Sequence, residues 1–178
     1  MTPVLETDRL IMRGWKSEDF PAYAAYWADP ERTQFFISGT QNKAEAWQHF
    51  TAMSGEWALR DFGQFAITLK SDGDDAKAVG HAGIWYPPDL EEPEMAWSLY
   101  PGNDGHGYAT EAAKRILLWA NTDLGLPPMM SFVHPDNKPS IAVAERLGAT
   151  FERKSTLRGD PRLMYRHTNF NSKTSSVF

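Results

Sequence analysis

The sequence predicts a mixed α/β domain whose single sheet is neither doubly wound nor closed into a barrel. Strand-like and helix-like hydrophobic patterns interleave in the order β-α-α-β-β-β-α-β-α-β-β, and nothing repeats. The polar run at residues 71–75 separates two strand-like segments and is typical of a turn between antiparallel strands. A glycine-rich turn opens a long helix in the second half, but no parallel βαβ pattern follows it, which argues against a doubly wound sheet.

The first half of the chain predicts four strands and two helices. Residues 9–13 alternate weakly between polar and apolar and form the first predicted strand. Ser17 and Asp19 offer capping side chains for a helix that stops near Pro30. Apolar residues at spacings of three and four predict a second helix over residues 43–59. The other predicted strands cover residues 65–69, 79–86 and 94–100.

The second half predicts two helices and three strands. The first helix covers residues 108–124, and the second covers residues 140–147 and ends at Gly148, as a C-terminal glycine commonly ends one. The predicted strands lie at residues 129–133, from residue 151 onward, and at residues 163–165. We therefore expect one domain over residues 1–168, followed by a polar tail over residues 169–178 that has little to bury.

The composition is that of an ordinary globular chain of 178 residues, with 42% hydrophobic and 23% charged residues. The 18 basic and 23 acidic residues give a net charge of −5, which argues against a nucleic-acid surface. The lack of cysteine excludes disulfides and thiolate nucleophiles, and no two histidines have helical metal-ligand spacing, so no metal is expected. No apolar run approaches the roughly 18 residues that span a bilayer, and no secretory pattern opens the chain, so we expect a soluble cytoplasmic protein.

The glycine-rich turn is the most informative segment for function. Gly105 and Gly107 lie between a predicted strand and a predicted helix. Glycines allow a ligand to approach the backbone closely, and the first amides of a helix form an anion site, most often for phosphate. A tight turn without a ligand is the alternative. The third glycine of a dinucleotide-binding turn and the Gly-Lys-Ser/Thr of a P-loop are both absent.

Three segments together resemble the GNAT N-acetyltransferases, and in particular their RimJ/RimL-like branch. These segments are LETDRLIMRGW at the start, GHGYATEA at the glycine-rich turn and HPDNKPSIAVAERLGATFE further on. The resemblance implies the GNAT fold, a mixed and mostly antiparallel sheet with a splayed strand pair and about four flanking helices. It also implies an acetyl-CoA-dependent N-acyltransferase, with acetyl-CoA as co-substrate.

The resemblance further implies which residues bind acetyl-CoA. Backbone amides of the turn would bind the pyrophosphate, and backbone groups of the preceding strand would pair with the pantetheine amides as an added strand does. An asparagine and a serine at the start of the helix after Pro135 would complete the site. The implied residues are Trp97, Ser98, Leu99, Gly105, His106, Gly107, Tyr108, Ala109, Thr110, Asn137 and Ser140.

Two positions depart from the family pattern. The Arg or Gln that often precedes the first glycine by three residues is Gly102 here. Pyrophosphate binding would then rest on backbone amides, with His106, Lys138 or Arg146 as further candidates. The tyrosine that often acts as general acid would fall at Ala144 and is absent, which leaves Ser140 or a water to protonate the departing thiolate.

Acetyl transfer needs a group that accepts the proton of the amine and donors that stabilise the developing oxyanion. Glu94 begins the strand that carries the cofactor edge, and by resemblance a catalytic carboxylate sits there. The alternative is that Glu94, with Glu91 and Glu92, belongs to a solvated acidic loop. His81 lies in an apolar strand and is predicted to be structural, as is His134, with His81 the next candidate for the base.

Aromatic residues make up 13% of the chain, and some of them are candidates for the acceptor site. By resemblance Phe35, Phe36 and Trp85 border the acceptor groove, although core packing explains a typical aromatic residue equally well. We therefore expect direct attack of a primary amine on acetyl-CoA in a ternary complex. Two acceptors are possible, a protein N-terminal α-amine and a small-molecule amine or antibiotic. The expected oligomeric state is a monomer or a homodimer. A non-catalytic acyl-CoA-binding module is the alternative from another class.

Overall fold

The structure, a computed structural model, describes residues 1–73 and 75–170. Five α-helices and eight strands occur in this part of the chain. The strands are β1 Leu5–Glu6, β2 Leu10–Arg13, β3 Gln64–Leu69, β4 Gly80–Trp85, β5 Glu94–Leu99, β6 Met130–Val133, β7 Thr150–Leu157 and β8 Asp160–Arg166. The helices are α1 Phe20–Trp27, α2 Pro30–Thr33, α3 Lys43–Arg60, α4 Tyr108–Thr122 and α5 Lys138–Arg146.

The eight strands form one sheet in the order β1-β2-β3-β4-β5-β6-β8-β7. All neighbouring pairs are antiparallel except β5 and β6, which run parallel. That parallel pair shares a single register position, Glu94 opposite Met130, whereas β4 and β5 stay paired over six positions. The two central strands therefore separate just after they meet. The predicted mixed, mostly antiparallel sheet is confirmed.

Side chains hold the point where β5 and β6 meet. The Glu94 Oε1 atom accepts a hydrogen bond of 3.0 Å from the backbone amide of Phe132. The buried Ser131 hydroxyl donates to the carbonyl of Met95, and its oxygen lies 2.9 Å from Nε2 of His167. In a regular β5–β6 ladder, backbone groups such as the Phe132 amide and the Met95 carbonyl would bond to the neighbouring strand. Here side-chain atoms bond to them instead, so the two strands stay attached at this end and diverge beyond it.

The two faces of the sheet carry different helices. The amphipathic helix α4 places Ala112, Ile116 and Trp119 against Ile84 and Met95 in the main core. Helices α1 and α3 cover the opposite face, where an aromatic cluster surrounds the sheet. This cluster contains Tyr23, Tyr26, Trp27, Phe50 and Tyr100. No helix among the described residues is long and apolar enough to cross a membrane.

The structure corrects the predicted start of the chain in two places. The first strand is the two-residue β1, which is too short to show an alternating pattern, and the predicted first strand is the second. Asp19 does not cap α1 with its side chain. Its carboxylate instead forms hydrogen bonds of 2.7 and 2.9 Å with the Arg13 guanidinium and accepts the Lys16 amide.

Two further differences concern the helices and the tail. The four-residue α2 was not predicted because it has no apolar periodicity. Helix α5 begins at Lys138, two residues before the predicted start, since Asn137 is its N-cap. At the predicted tail Phe170 packs against the main core, and residues 171–178 lie outside the described residues.

Two neighbouring leucines of α4 test the direction in which this helix packs. Leu117 is 2% exposed and Leu118 is 43% exposed. Truncation of the buried side chain removes apolar contacts and leaves a cavity, so we expect Leu117→Ala to lower the free energy of unfolding by about 2–5 kcal/mol in urea unfolding. Leu118→Ala has the same change in helix propensity and should stay within about 0.5 kcal/mol of wild type. Similar losses in both variants would contradict the observed packing.

Candidate active site

A large cavity of about 1510 Å³ follows the edge of β5 to the N-terminus of α4. It is the space in which the resemblance places acetyl-CoA. Ten of the eleven residues predicted for the cofactor line it: Trp97, Ser98, Leu99, Gly105, His106, Gly107, Ala109, Thr110, Asn137 and Ser140. Tyr108 does not line it; its ring stacks at 5.3 Å on the ring of His106 and lies 4.8 Å from the guanidinium of Arg9. We call this space the cofactor cavity.

The glycine-rich turn has the backbone of an anion site. Gly105 and Gly107 have φ angles of 80° and 79°, in the left-handed region that favours glycine. Gly107 is the N-cap of α4, and within the described residues no side chain caps the first amides of this helix. Those amides and the positive end of the helix dipole therefore face the cofactor cavity. The arrangement suits the phosphates of a nucleotide-like ligand.

Cationic side chains line the same cavity. Lys114, Arg115 and Arg146 border it, and no ion-pair partner for any of them occurs in residues 1–73 and 75–170. Unpaired cations beside helix amides favour a ligand with several phosphates. Arg146 was predicted as a candidate for this role. Lys138 was also a candidate, but its Nζ donates to the carbonyl of Pro135 and it does not line the cavity.

Two ion pairs cross the rim of the cofactor cavity. Arg9 binds Glu111 through Nε at 2.7 Å, and Arg32 binds Asp104 at 2.6 Å. Burial raises the pKa of Glu111, but hydrogen bonds from Thr7 and Arg9 outweigh it and hold this pKa below its usual value. Sequence reasoning missed Arg9 and Arg32, because both lie far from the glycine-rich turn in the chain and reach it only through the fold.

A second, smaller cavity of about 450 Å³ opens beside the first. The three residues predicted for the acceptor, Phe35, Phe36 and Trp85, all line it, and we call it the acceptor cavity. The two cavities meet where β5 and β6 diverge. The residues that line both are Phe35, Phe36, Trp97, Ser98, Asn137 and Ser140. A ligand in each cavity would therefore come into contact at this junction.

The register of the strands builds the floor of the acceptor cavity. Trp85 lies opposite Glu94, Gly83 opposite Ala96, and His81 opposite Ser98. Residues directly opposite one another point to the same face, so these side chains share one surface. The smallest residues occupy its middle, which leaves room above the sheet. Trp27, His49 and Met53 from the helices cover that room.

Glu94 is half-buried and lines the acceptor cavity. Desolvation raises its pKa to about 7, although the hydrogen bond from the Phe132 amide and the charge of Arg162 lower it. A carboxyl group with a pKa near neutral can accept and release a proton at physiological pH. The neighbouring Glu92 instead pairs with Arg166, so the acidic run divides into residues with different surroundings.

Two histidines of this cavity are held neutral by burial. Desolvation lowers the pKa of His81 to about 3 and that of His49 to about 4. The His49 Nδ1 atom lies 2.9 Å from the Tyr23 hydroxyl. His49 was not predicted as a site residue. It lies within the helix predicted over residues 43–59, and the apolar spacing there indicates a helix but no site. His134 also lines the cavity, with its ring 5.3 Å from that of Phe35.

Asn137 and Ser140 occupy the junction of the two cavities. The Oδ1 atom of Asn137 accepts a hydrogen bond of 3.2 Å from the Ser140 amide and so caps α5. Ala144 is fully buried in a cluster with Val133 and Tyr165 and offers no proton donor. Among the described residues no group of three or more His, Cys, Asp or Glu side chains is arranged to hold a metal ion.

Comparison with known proteins identifies the family. A model of the acetyltransferase (GNAT) domain matches residues 9–150. The chain belongs to the GNAT acetyltransferase family. A relative from Bacillus licheniformis, the uncharacterized N-acetyltransferase p20, is 26% identical over 156 residues, which cover 86% of this chain and 85% of that protein.

Solved structures show the same GNAT fold. The crystal structure of an acetyltransferase from Agrobacterium tumefaciens is 36% identical, with a TM-score of 0.83 over 92% of this chain and 93% of that one. RimL, a ribosomal-protein α-N-acetyltransferase solved in complex with coenzyme A, is 14% identical, with a TM-score of 0.76 over 95% of this chain and 100% of that one. At 14% identity the likeness shows the fold alone.

Replacement of Glu94 by glutamine should change how stability depends on pH. The raised pKa means that the folded protein holds this proton more tightly than the unfolded chain does. Ionisation of the carboxyl therefore costs the wild type stability as pH rises from about 5 to 8, whereas an amide cannot ionise. Relative to wild type, we expect the free energy of unfolding of Glu94→Gln to increase by roughly 1–2 kcal/mol over this range, measured by urea unfolding.

Glu91→Gln is the matched control for this measurement, because Glu91 is exposed in the same acidic run. The difference in the free energy of unfolding between Glu91→Gln and wild type should be the same at about pH 5 and pH 8. If the Glu94→Gln difference is also independent of pH, the carboxyl of Glu94 is not desolvated in the folded protein.

Proposed function

We propose that this GNAT protein transfers the acetyl group of acetyl-CoA to a primary amine by direct attack in a ternary complex. The observation that carries the proposal is the junction of the two cavities at the divergence of β5 and β6, where six residues line both. A cofactor and an acceptor bound side by side can react without a covalent enzyme intermediate, and proximity alone is a large part of such catalysis.

The cofactor cavity suits acetyl-CoA at both ends. Its pyrophosphate would bind the amides from Gly105 to Thr110, with Lys114, Arg115 and Arg146 available to the phosphates. Its pantetheine arm would lie along Trp97 to Leu99, where β5 has left β6 and its edge can pair with an added strand-like ligand. The reacting thioester would then lie near the junction with the acceptor cavity.

Glu94 is the proposed general base. The reaction joins the amine nitrogen to the acetyl carbon and breaks the carbon–sulfur bond, so a protonated amine must lose two of its three protons, of which the sulfur gains one and a base accepts the other. Glu94 lies three residues from Trp97, which is about 10 Å along a strand, so we propose that water relays the proton to its carboxylate. Its pKa of about 7 lets it accept that proton near neutral pH.

Ser140 is the proposed donor to the departing thiolate. It lines both cavities, and the Asn137 cap fixes the backbone that carries it. A water at the junction is the alternative donor, because the buried Ala144 offers no hydroxyl.

The first candidate for the acceptor comes from the resemblance to the RimJ/RimL-like branch. Membership in the RimJ/RimL-like branch would suggest a protein N-terminal α-amine, which is the substrate that the name of RimL gives for that protein. A small-molecule amine is the second candidate, and the volume of the acceptor cavity, about 450 Å³, favours it because pockets of this size commonly hold small ligands. The presence of this cavity also favours an enzyme over a non-catalytic acyl-CoA-binding module, which needs no acceptor site.

Two alanine variants test the phosphate site at the glycine-rich turn. Gly105 and Gly102 have φ angles of 80° and 84°, and a Cβ at either position would meet nothing within 4 Å, so both substitutions strain the backbone similarly. Gly105 lines the cofactor cavity and Gly102 does not. We expect Gly105→Ala to weaken CoA binding about tenfold or more in calorimetry, and Gly102→Ala to bind as wild type does. An equal loss in both would indicate backbone strain and not obstruction of a phosphate.

Rate–pH profiles test the role of Glu94. Under saturating acetyl-CoA we expect Glu94→Gln to lower turnover by about 10²–10⁴-fold near neutral pH, because the amide cannot accept a proton. The loss should shrink at high pH, where the amine deprotonates unaided, and CoA affinity should stay near that of wild type. Glu91→Gln should match wild type throughout. Superimposable profiles for Glu94→Gln and wild type would mean that water or another residue is the base.

A further inference from the structure

The glycine-rich turn contains no cationic side chain of its own for the phosphates that its amides suit. Residues 100–107 include neither Lys nor Arg, and their one carboxylate, Asp104, directly precedes Gly105. Asp104 lines the cofactor cavity, and a carboxylate next to a phosphate repels it unless a cation compensates the charge. The guanidinium of Arg32 on α2 compensates it, since its Nη1 atom lies 2.6 Å from Oδ2 of Asp104. A cation from the first half of the chain is therefore bound at the turn.

The position of Arg32 differs from that of the other cations around this cavity. Those others are Arg9, Lys114, Arg115 and Arg146. Arg9 is already bound to Glu111 through Nε at 2.7 Å. Lys114 lies seven residues beyond the N-cap of α4, which is about 10 Å along the helix axis. Arg32 contacts a residue of the turn itself, so its charge lies nearest to the amides that would bind a pyrophosphate.

The ion pair between Arg32 and Asp104 can be exchanged for another anion. The Asp104 side chain is 54% exposed, and exposed ion pairs are weak because water competes for both partners. A guanidinium has five N–H donors, and within residues 1–73 and 75–170 the bond to Asp104 is the one hydrogen bond that the Arg32 side chain makes. A pyrophosphate carries more charge than a carboxylate and can accept two parallel bonds from the guanidinium, so it is the stronger partner.

The backbone that carries Arg32 is fixed on both sides. The Oδ1 atom of Asp29 caps α2 by accepting a hydrogen bond of 2.9 Å from the Glu31 amide. Beyond the helix, the buried Arg162 donates from Nη2 to the carbonyl of Phe35 at 3.1 Å. Because the backbone is held in place, the exchange of one anion for another needs only a rotation of the Arg32 side chain, and little order has to be created on binding.

We infer that Arg32 is a cofactor-binding residue, and that the pyrophosphate of acetyl-CoA replaces the Asp104 carboxylate as its partner. The inference rests on the proposed function and adds a residue to the phosphate site of the same cavity. Before the cofactor binds, Asp104 holds the guanidinium at the turn, and it competes with the phosphates for that guanidinium. The phosphate site then combines amides of the glycine-rich turn with a cation from α2.

The two partners of this ion pair give opposite predictions for CoA binding. Arg32→Gln removes the charge that binds the pyrophosphate, so we expect the Kd for CoA in calorimetry to rise about tenfold or more. Asp104→Asn breaks the same ion pair but removes the competing anion, so CoA should bind as tightly as to wild type or up to about fivefold more tightly. Similar weakening in both variants would show that the ion pair only supports the turn, and it would overturn the inference. An unchanged Kd in Arg32→Gln would also overturn it.

Arg153→Gln is the matched control for the loss of an arginine. Arg153 is also partly exposed, its Nη1 atom lies 2.9 Å from a carboxylate oxygen of Glu152, and it lines neither cavity. This variant should bind CoA as wild type does. Arg32→Lys keeps the charge but not the planar fork of donors, so it should recover part of the affinity that Arg32→Gln loses.

Pantetheine, which carries no phosphate, shows whether the effect belongs to the phosphates. Its affinity in calorimetry should be the same for wild type and Arg32→Gln, because the proposed contact of Arg32 is with the pyrophosphate alone. An equal loss of affinity for CoA and for pantetheine would indicate a distorted cavity and would overturn the inference.

Binding without turnover separates this inference from the proposed function. CoA carries no acetyl group, so its calorimetry needs no acceptor amine. CoA binding that depends on Arg32, with no acetyl transfer from acetyl-CoA to any primary amine, would refute the proposed reaction and support the assignment of Arg32. Acetyl transfer by wild type, with the same CoA affinity in wild type and Arg32→Gln, would support the reaction and refute the assignment of Arg32.

Discussion

The divergence of β5 and β6 is the constraint on which both cavities depend. Two parallel strands that remained paired would close the sheet and leave no edge for a ligand. Here the ladder ends after Glu94 and Met130, and the Glu94 carboxylate bonds to the Phe132 amide beside that point. Backbone groups need hydrogen-bond partners, so an open strand edge in the middle of a sheet favours a ligand that supplies them.

The same carboxylate links the fold to the proposed chemistry. Glu94 is held at the divergence by a backbone amide, and that location also half-buries it, so desolvation raises its pKa to about 7. A carboxyl group with a pKa near neutral is therefore a consequence of where the strands separate, not of a dedicated charge partner. The nearby Arg162 limits the rise, because its charge favours the ionised form.

The two cavities differ in the kind of ligand that they suit. The cofactor cavity combines helix amides with cations, so it suits phosphates. The acceptor cavity has aromatic walls and two histidines, His49 and His81, that burial holds neutral, so it suits a ligand with a largely apolar skeleton. Discrimination between amines would therefore have to come from the walls of the acceptor cavity. The reactive end is common to all primary amines and offers little discrimination.

The sequence by itself determined the elements and the family of this protein. Hydrophobic periodicity located the long elements because α4 and the central strands bury one regular face. The glycines of the turn predicted a left-handed backbone at the start of α4, which Gly105 and Gly107 adopt. It did not determine β1 or α2, which are too short to show a period. Only the tertiary structure decided which distant side chains share a cavity. Trp27, Gln41, Gln64 and His81 carry no common local pattern, and Arg9 and Arg32 reach the cofactor cavity from the other half of the chain. The physical reason is that strand register and helix packing set these contacts, and neither follows from the spacing of residues along the chain.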